Sequence, residues 1–430
     1  EGTIAIGFNT GLAHDDGTKC IYIGHKTGLS NESGDNPVAI GHSAMLNTGD
    51  YINDNNIAIG TSAMGGSWGG ACVKNVAIGT SAMAGVMNAS NANVAIGHQA
   101  GNAITSGGYN ILIGAHAGEK LEDGGSNIVI GGSALDLTES GVNNVAIGVG
   151  ALGSATDGDD DPDSNVAIGK GALFSLDADD AEQANVAIGH NSGYWLSTGI
   201  RNTFLGHKSG YGLDGTPLLG DNNTCIGHQS GLLLQGAAHS NVFVGALAGN
   251  TTTTGTANIA IGYNCEAEDA TANKQYMIGM GLNGTADKAV FIGDDSDHVR
   301  CDWGTDDTWD KVSDVRKKNI SGDSPLGLDF INDLRTVAFT FKAPCDLPKE
   351  WTSYNPDITE PSTKEEQHGI LAQDVKKALD NAGVDSFSGW SEDPDGCQRV
   401  GTSAFVYPLI KAVQELSQQV KDLQTKIGDA

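Results

Sequence analysis

The chain has 430 residues, a formal charge of −29, 61 glycines and only 6% aromatic residues. Such a length accommodates two or three domains. The glycine share is about twice the usual ~7% but lacks a Gly-X-Y period, which excludes collagen and points to many thin layers in place of one bulky core. The acidity argues against nucleic acid or an anionic membrane surface as partners, because phosphate binding needs a clustered cationic footprint. It is concentrated at one end: residues 1–312 carry −23 and residues 313–430 carry −6.

Seven cysteines, at positions 20, 72, 225, 265, 301, 345 and 397, form no CxxC pair and are odd in number, so neither a disulfide framework nor a zinc site is expected. No apolar run approaches the ~18 residues of a membrane span, so membrane insertion is not expected. Glu1 opens inside a repeat with no initiator Met or signal peptide, so the sequence reads as a fragment of something longer.

Taken in order, residues 1–293 form a repeat array. Aligned on the Gly of an Ile-Gly step, it runs Gly7, Gly24, Gly41, Gly60, Gly79, Gly97, Gly114, Gly131, Gly148, Gly169, Gly189, Gly206, Gly227, Gly245, Gly262, Gly279 and Gly293. The steps are 17 to 21 residues except the last, which is 14. Ile usually precedes the Gly, Val or Ile lies two residues earlier, and a small residue, usually Ala, separates them. That is a short strand with branched side chains on one face and a small one on the other. A second small residue follows three positions after the Gly, as in Ala63, Ala82 and Ala100, and two strands with two turns would use up each repeat. Four residues before the Gly, twelve successive layers carry Asn, from Asn56 to Asn258. Stacked in register, these amides are expected to bond between layers as an Asn ladder. At about 4.7–4.9 Å per layer, 17 layers make a rod roughly 80 Å long that must stack and associate side by side to bury its faces.

Chemistry within the array is sparse. His25, His42, His98, His190, His207 and His228 follow the Gly, yet the same slot also holds Thr61, Ala115, Val149 and Lys170, so it reads as a tolerant turn position and no metal site is expected. The acidic insertion Asp157 to Asp163 imitates the opening of a calcium loop, but Ile168 stands where an EF-hand needs a bidentate Glu. No carboxylate pair with a fixed separation can be picked out for glycoside hydrolysis. The better candidates for receptor contact are the loop aromatics Trp68, Tyr109, Tyr194, Trp195 and Tyr211, since Trp and Tyr give flat contact of low entropy cost.

From Asp294 to Val312 the period fails, and a connector with Trp303 and Trp309 leads to Ser313. Beyond it, Ser324 and Pro325 could start a short helix carrying Leu328, Ile331 and Leu334. Val337 to Phe341 alternates as a strand, Pro344 to Pro361 reads as a loop, and Gln367 to Leu379 as an amphipathic helix. A long helix over about residues 403–427 carries Leu409, Val413, Leu416, Val420, Leu423 and Ile427 at steps of 4 and 3. This seam fits a short coiled coil, with a core helix as the alternative.

The repeats of about residues 1–293 resemble the head repeats of trimeric autotransporter adhesins and similar repeats in phage tail fibres, which implies a trimeric parallel β-roll or β-helix. Residues 313–430 resemble the intramolecular chaperone domain of endosialidases and other phage tail spikes and fibres. The matching pieces are Ser313, Asp314, Arg316, Lys318 and Ile320, then His368 to Val375, then Ile410 to Leu416.

This second resemblance implies an α+β domain that trimerises, guides β-helix folding and cuts itself off between Val312 and Ser313 in a single turnover. Ser313 would be the nucleophile, Lys318 its general base and Asp314 an orienting group. Lys317 stands where the family more often has an apolar residue, which leaves two candidate bases. The chain as a whole is thus expected to be mostly β, with a β-roll over 1–293, a connector over 294–312 and a chaperone domain over 313–430. It would act, without cofactor, as an extracellular viral tail-fibre fragment. Its expected partners are two further copies of itself, an upstream tail or fibre protein and a host surface receptor, with a glycan as one candidate. The alternatives are a glycan-degrading tail spike and a bacterial surface adhesin using the same chaperone.

Overall fold

The computed structural model describes residues 2–15, 17–154, 162–177, 183–303, 309–310 and 315–428. The chain divides into two compact units, Glu1–Val312 and Ser313–Ala430.

The first unit is a parallel β-solenoid. Its sheet has 19 strands, of which β1 (Ile4–Ile6) to β17 (Ala289–Asp294) pair in parallel, each with the next layer. Register follows the repeat frame: in β5 (Val76–Ile78) and β6 (Val94–Ile96), Val76 faces Val94, Ala77 faces Ala95 and Ile78 faces Ile96. Each of the first fifteen strands is three residues long. The second strand expected in every layer is a turn instead, which still bonds to its neighbours through the backbone, as in Met45 N–H to the Ala63 carbonyl at 3.0 Å and Met64 N–H to the Ala82 carbonyl at 2.9 Å. Left-handed residues explain this, because Ser62 (φ 57°) and Met64 (φ 50°) interrupt any extended run after the Gly.

The repeat Gly is fixed by two constraints at once. Gly60 has φ +134°, and a Cβ there would lie 2.5 Å from the carbonyl oxygen of Gly79 in the next layer. Only Gly lets successive turns approach so closely.

The core lies inside the coil. The central residue of each strand from β2 (Ile21–Ile23) onward to β15 (Ile259–Ile261) points inward and is buried, while the flanking Val and Ile residues are half-exposed or exposed on the outer face. Interior volume is shared between slots. Where the strand contributes Ala58 or Ala77, the turn contributes Met64 or Met83. Where the strand contributes Phe204 or Phe243, the turn contributes Gly210 or Gly249, and a Cβ at either glycine would collide with the ring. This trade keeps the interior close-packed.

The expected Asn ladder is present. Asn75, Asn93, Asn110 and Asn127 are fully buried. The backbone N–H of each donates to the Oδ1 of the Asn one layer earlier, at 2.8, 2.9, 2.9 and 3.0 Å. The Nδ2 groups donate to loop carbonyls, as in Asn93 to Gly107 at 2.8 Å. The seven cysteines are free, and Cys20, Cys72, Cys225 and Cys265 fill buried slots.

The stretch read as a connector adds two strands to the last rung. β18 (His298–Asp302) runs antiparallel to β17, and β19 (Trp309–Asp310) antiparallel to β18. Asp294 forms the hairpin turn, its carboxylate accepting from the N–H and hydroxyl of Ser296 and the N–H of Asp297.

The second unit is α+β. Helix α1 (Leu328–Asn332) starts later than its Ser-Pro signal, and its Leu328 N–H donates to the Glu415 carboxylate at 2.7 Å. Strand β20 (Thr336–Phe339) pairs antiparallel with β21 (Gln367–Ile370). The amphipathic helix expected from Gln367 is therefore shorter, α2 (Ala372–Asn381), because its first four residues are held as a strand. A hairpin of β22 (Trp390–Glu392) and β23 (Gln398–Val400), which the periodicity did not reveal, precedes α3 (Val406–Gly428). Leu326, Phe330, Val375, Ala378, Leu379 and Phe405 form the core.

Candidate processing site and binding surfaces

Val312, Ser313 and Asp314 lie outside the described residues. The described chain resumes with a 3-10 turn, Val315–Lys317, closed by the Lys318 N–H donating to the Val315 carbonyl at 3.2 Å. Arg316 and Lys318 are exposed.

The two later motifs of the resemblance do structural work. In the first, Ala372 and Val375 are buried beneath α2, and Asp374 lies 3.5 Å from Arg335 at the end of α1's following turn. In the second, Glu415 caps the N-terminus of α1 and so ties α3 to it, where the positive end of the short helix meets a carboxylate. The opposite side of α3 is bare: Leu409, Val413, Leu416, Val420, Leu423 and Ile427 are all exposed, with Val413 at 62%.

The receptor-contact candidates separate into three situations. Trp68 is 6% exposed and belongs to the solenoid core, so it offers no platform to a ligand. Tyr109 is exposed and isolated from the other candidates in sequence. Tyr194, Trp195 and Tyr211 come together, and Phe174 joins them: Phe174 and Tyr194 stack with centroids 4.9 Å apart, Tyr194 and Tyr211 at 5.6 Å, and Trp195 meets Tyr194 edge-on at 5.0 Å. Phe174 was missed in the sequence, although it occupies the same slot as Tyr194 and Tyr211, five residues after the repeat Gly.

The histidines of the turn slot are exposed and form short columns. His25 and His42 stack at 5.1 Å, His190 and His207 at 5.3 Å, and His207 and His228 at 5.2 Å. His207 is held below its ordinary value by desolvation first, then by His228, His190 and Lys208. Among the described residues, no group of three or more His, Cys, Asp or Glu side chains is placed to hold a metal ion. Glu266 is a buried acid that the sequence did not single out. It accepts from the N–H groups of Asn250 and Thr251 and from the Thr251 hydroxyl, and burial raises its carboxyl above the usual range.

Comparison with known proteins places the C-terminal part of the chain: residues 313–384 match the family model described as chaperone of endosialidase. Neither a curated protein nor a solved structure matches the chain. A chaperone domain of this kind following a β-solenoid fits a phage tail-fibre or tail-spike-like protein.

Proposed function

We propose that this chain forms part of a viral host-attachment fibre, homotrimeric in its working form, whose C-terminal unit assembles the fibre and then cuts itself off between Val312 and Ser313. The observation that carries the reading is a chaperone-family match beginning at residue 313, directly behind a solenoid unit that ends at Val312.

Two apolar surfaces support association. The outer Val and Ile residues run along the solenoid sheet, with Ile111, Ile128 and Ile130 all more than a third exposed. The bare seam of α3 repeats at the 3-4 spacing of a coiled coil. Covering such surfaces with two further copies removes them from water, and a closed three-fold ring leaves none over.

In the cleavage step the Ser313 hydroxyl oxygen attacks the Val312 carbonyl carbon, and its proton passes to the neutral amine of Lys318. The carbon–nitrogen bond breaks, and the proton moves on to the departing Ser313 amine. The resulting Val312 ester is hydrolysed by water to a carboxylate and the free serine hydroxyl. A lysine base needs a dry or cationic setting. Arg316 is its described cationic neighbour in sequence, and neighbouring copies in the trimer would supply the wall around an otherwise exposed Lys318.

Intact mass and a denaturing gel of the wild type and Ser313→Ala test this. Wild type is expected as two fragments meeting at Val312 and Ser313, and the variant as the full chain. Full-length mass in both would remove the peptidase reading, and a monomeric mass in solution would remove the trimer.

A further inference from the structure

The aromatic column at Phe174, Tyr194 and Tyr211 is a built feature of the array. In the slot five residues after the repeat Gly it spans three consecutive layers, bounded by Gly153 on one side and Leu232 on the other. Beside it lies a concavity of about 320 Å³, at the small end of the range for ligand sites of ~300–1,000 Å³. Its floor is opened by Gly150 and Gly171. Other layers carry Ser in that same slot and backbone conformation, at Ser43, Ser62, Ser81 and Ser133. Here the side chain is absent, and a Cβ on Gly171 would stand 2.7 Å from Asn191 Oδ1 and 3.1 Å from the Tyr194 ring. Gly171 is thus what lets the Tyr194 ring and Asn191 occupy the hollow.

Polar groups share the same space. Lys170, His190 and Asn191 line it together with the rings, and Lys208 holds its ammonium 5.2 Å from the Tyr211 centroid. Burial first, then Tyr211 and Asp214, raise the Tyr194 phenol above its ordinary value.

We propose that this hollow is a glycan site that takes hexopyranose units of a surface polysaccharide. A pyranose presents an apolar C–H face and a rim of hydroxyls. It is therefore recognised by aromatic surface next to fixed donors and acceptors; because Phe174, Tyr194 and Tyr211 stack on one another, the surface they offer the hollow is a ladder of ring edges, set beside Lys170, His190 and Asn191. The proposal rests on the host-attachment reading and gives that reading its ligand class and its residues.

The test applies the full chain to an array of neutral and uronate-bearing oligosaccharides, then titrates the best-retained one by intrinsic fluorescence. Tyr194→Ala removes the middle ring. Gly171→Ser installs the residue that other layers already accept at this slot, so it fills the hollow while keeping the fold. Both variants are expected to weaken binding at least about 10-fold, the loss associated with removing a central aromatic contact. Three results would overturn the site: no saccharide retained by wild type, retention by both variants equal to that of wild type, or variants that change the oligomeric mass, which would make the column part of a subunit seam. Adhesion to bacterial cells separates the two readings. Cells held equally by wild type and Gly171→Ser leave attachment standing and remove this site, whereas saccharide binding without adhesion to any cell does the reverse.

Discussion

The two units hold themselves together over different distances along the chain. In the solenoid, a layer bonds to the one before and the one after, so Asn93 donates to Asn75 and Asn110 donates to Asn93 in the same geometry. In the C-terminal unit the ties are unique and long: Leu328 to Glu415, Asn381 to Asp333, Thr352 to Asp395. Repetition makes each layer easy to add once a neighbour exists, yet it leaves the outer Val and Ile face almost the same from layer to layer. Three such rods laid side by side could pair in shifted registers, each burying similar surface. A unit with one arrangement of unlike contacts has no such choice, and that is the physical case for a C-terminal clamp.

The largest effect should come from removing the clamp. A chain ending at Val312 is expected to give aggregated or misregistered material on expression or refolding, read as loss of the defined trimer mass by light scattering. The full chain should give a single species. A folded, trimeric solenoid from residues 1–312 alone would show that the repeats set their own register, and the contrast between the units would lose its functional meaning.

A smaller and more local effect compares one glycine from each unit. Gly60→Ala combines φ +134° with a Cβ 2.5 Å from the Gly79 oxygen, two penalties that place it among substitutions costing more than ~4 kcal/mol. Gly383, just beyond α2, has φ +66° and nothing within 4 Å of its missing Cβ. Its Ala variant should cost only the left-handed conformation, about 1–2 kcal/mol. Hydrogen exchange should show deprotection spreading over several layers around Gly60 and confined to the end of α2 in the other variant. Equal, local effects would mean that the layers are less tightly stacked than their carbonyl contacts imply.

How much of this was legible followed the same division. The repeat frame, the layer count, the Asn ladder and the short strands were readable because one residue type recurs at one offset. The interior was less so. The exchange of Met64 for Gly210 makes sense only beside Ala58 and Phe204, and it requires knowing which strand residue faces inward. Within one chain the layers therefore fill the same interior with different pairs of side chains, while the outer face varies less. The pairing of β20 with β21 outweighed the helical pattern of Gln367 to Ile370, as tertiary contacts commonly do over four residues. Ser313 and Asp314 were singled out through family motifs alone, no periodicity marks them, and they lie outside the described residues. Trp68 looked like a surface aromatic because glycines flank it, whereas its ring is buried in the solenoid core.

The smallest expected effect distinguishes the units by pH. The His190, His207 and His228 column has no counterpart in the C-terminal unit, where His368 is the lone histidine. Desolvation, then the neighbouring rings and Lys208, lower the His207 pKa below its unfolded value. The neutral ring is therefore the form the solenoid favours. Its contribution is fully present above the unfolded value of about 6.5, and it is lost as pH falls through that value toward the folded one. The solenoid melting transition should accordingly drop slightly between pH 8 and pH 5 for this reason, and His207→Gln should reduce the drop. High salt should reduce it as well, because the rings are exposed and their repulsion is screened. A pH response identical in wild type and His207→Gln would mean that the stacked rings are neighbours without electrical consequence, and the acid sensitivity would have to be assigned to carboxyls held below their ordinary value, such as Asp269 and Asp294, since the raised carboxyls of Glu266 and Asp136 act in the opposite direction.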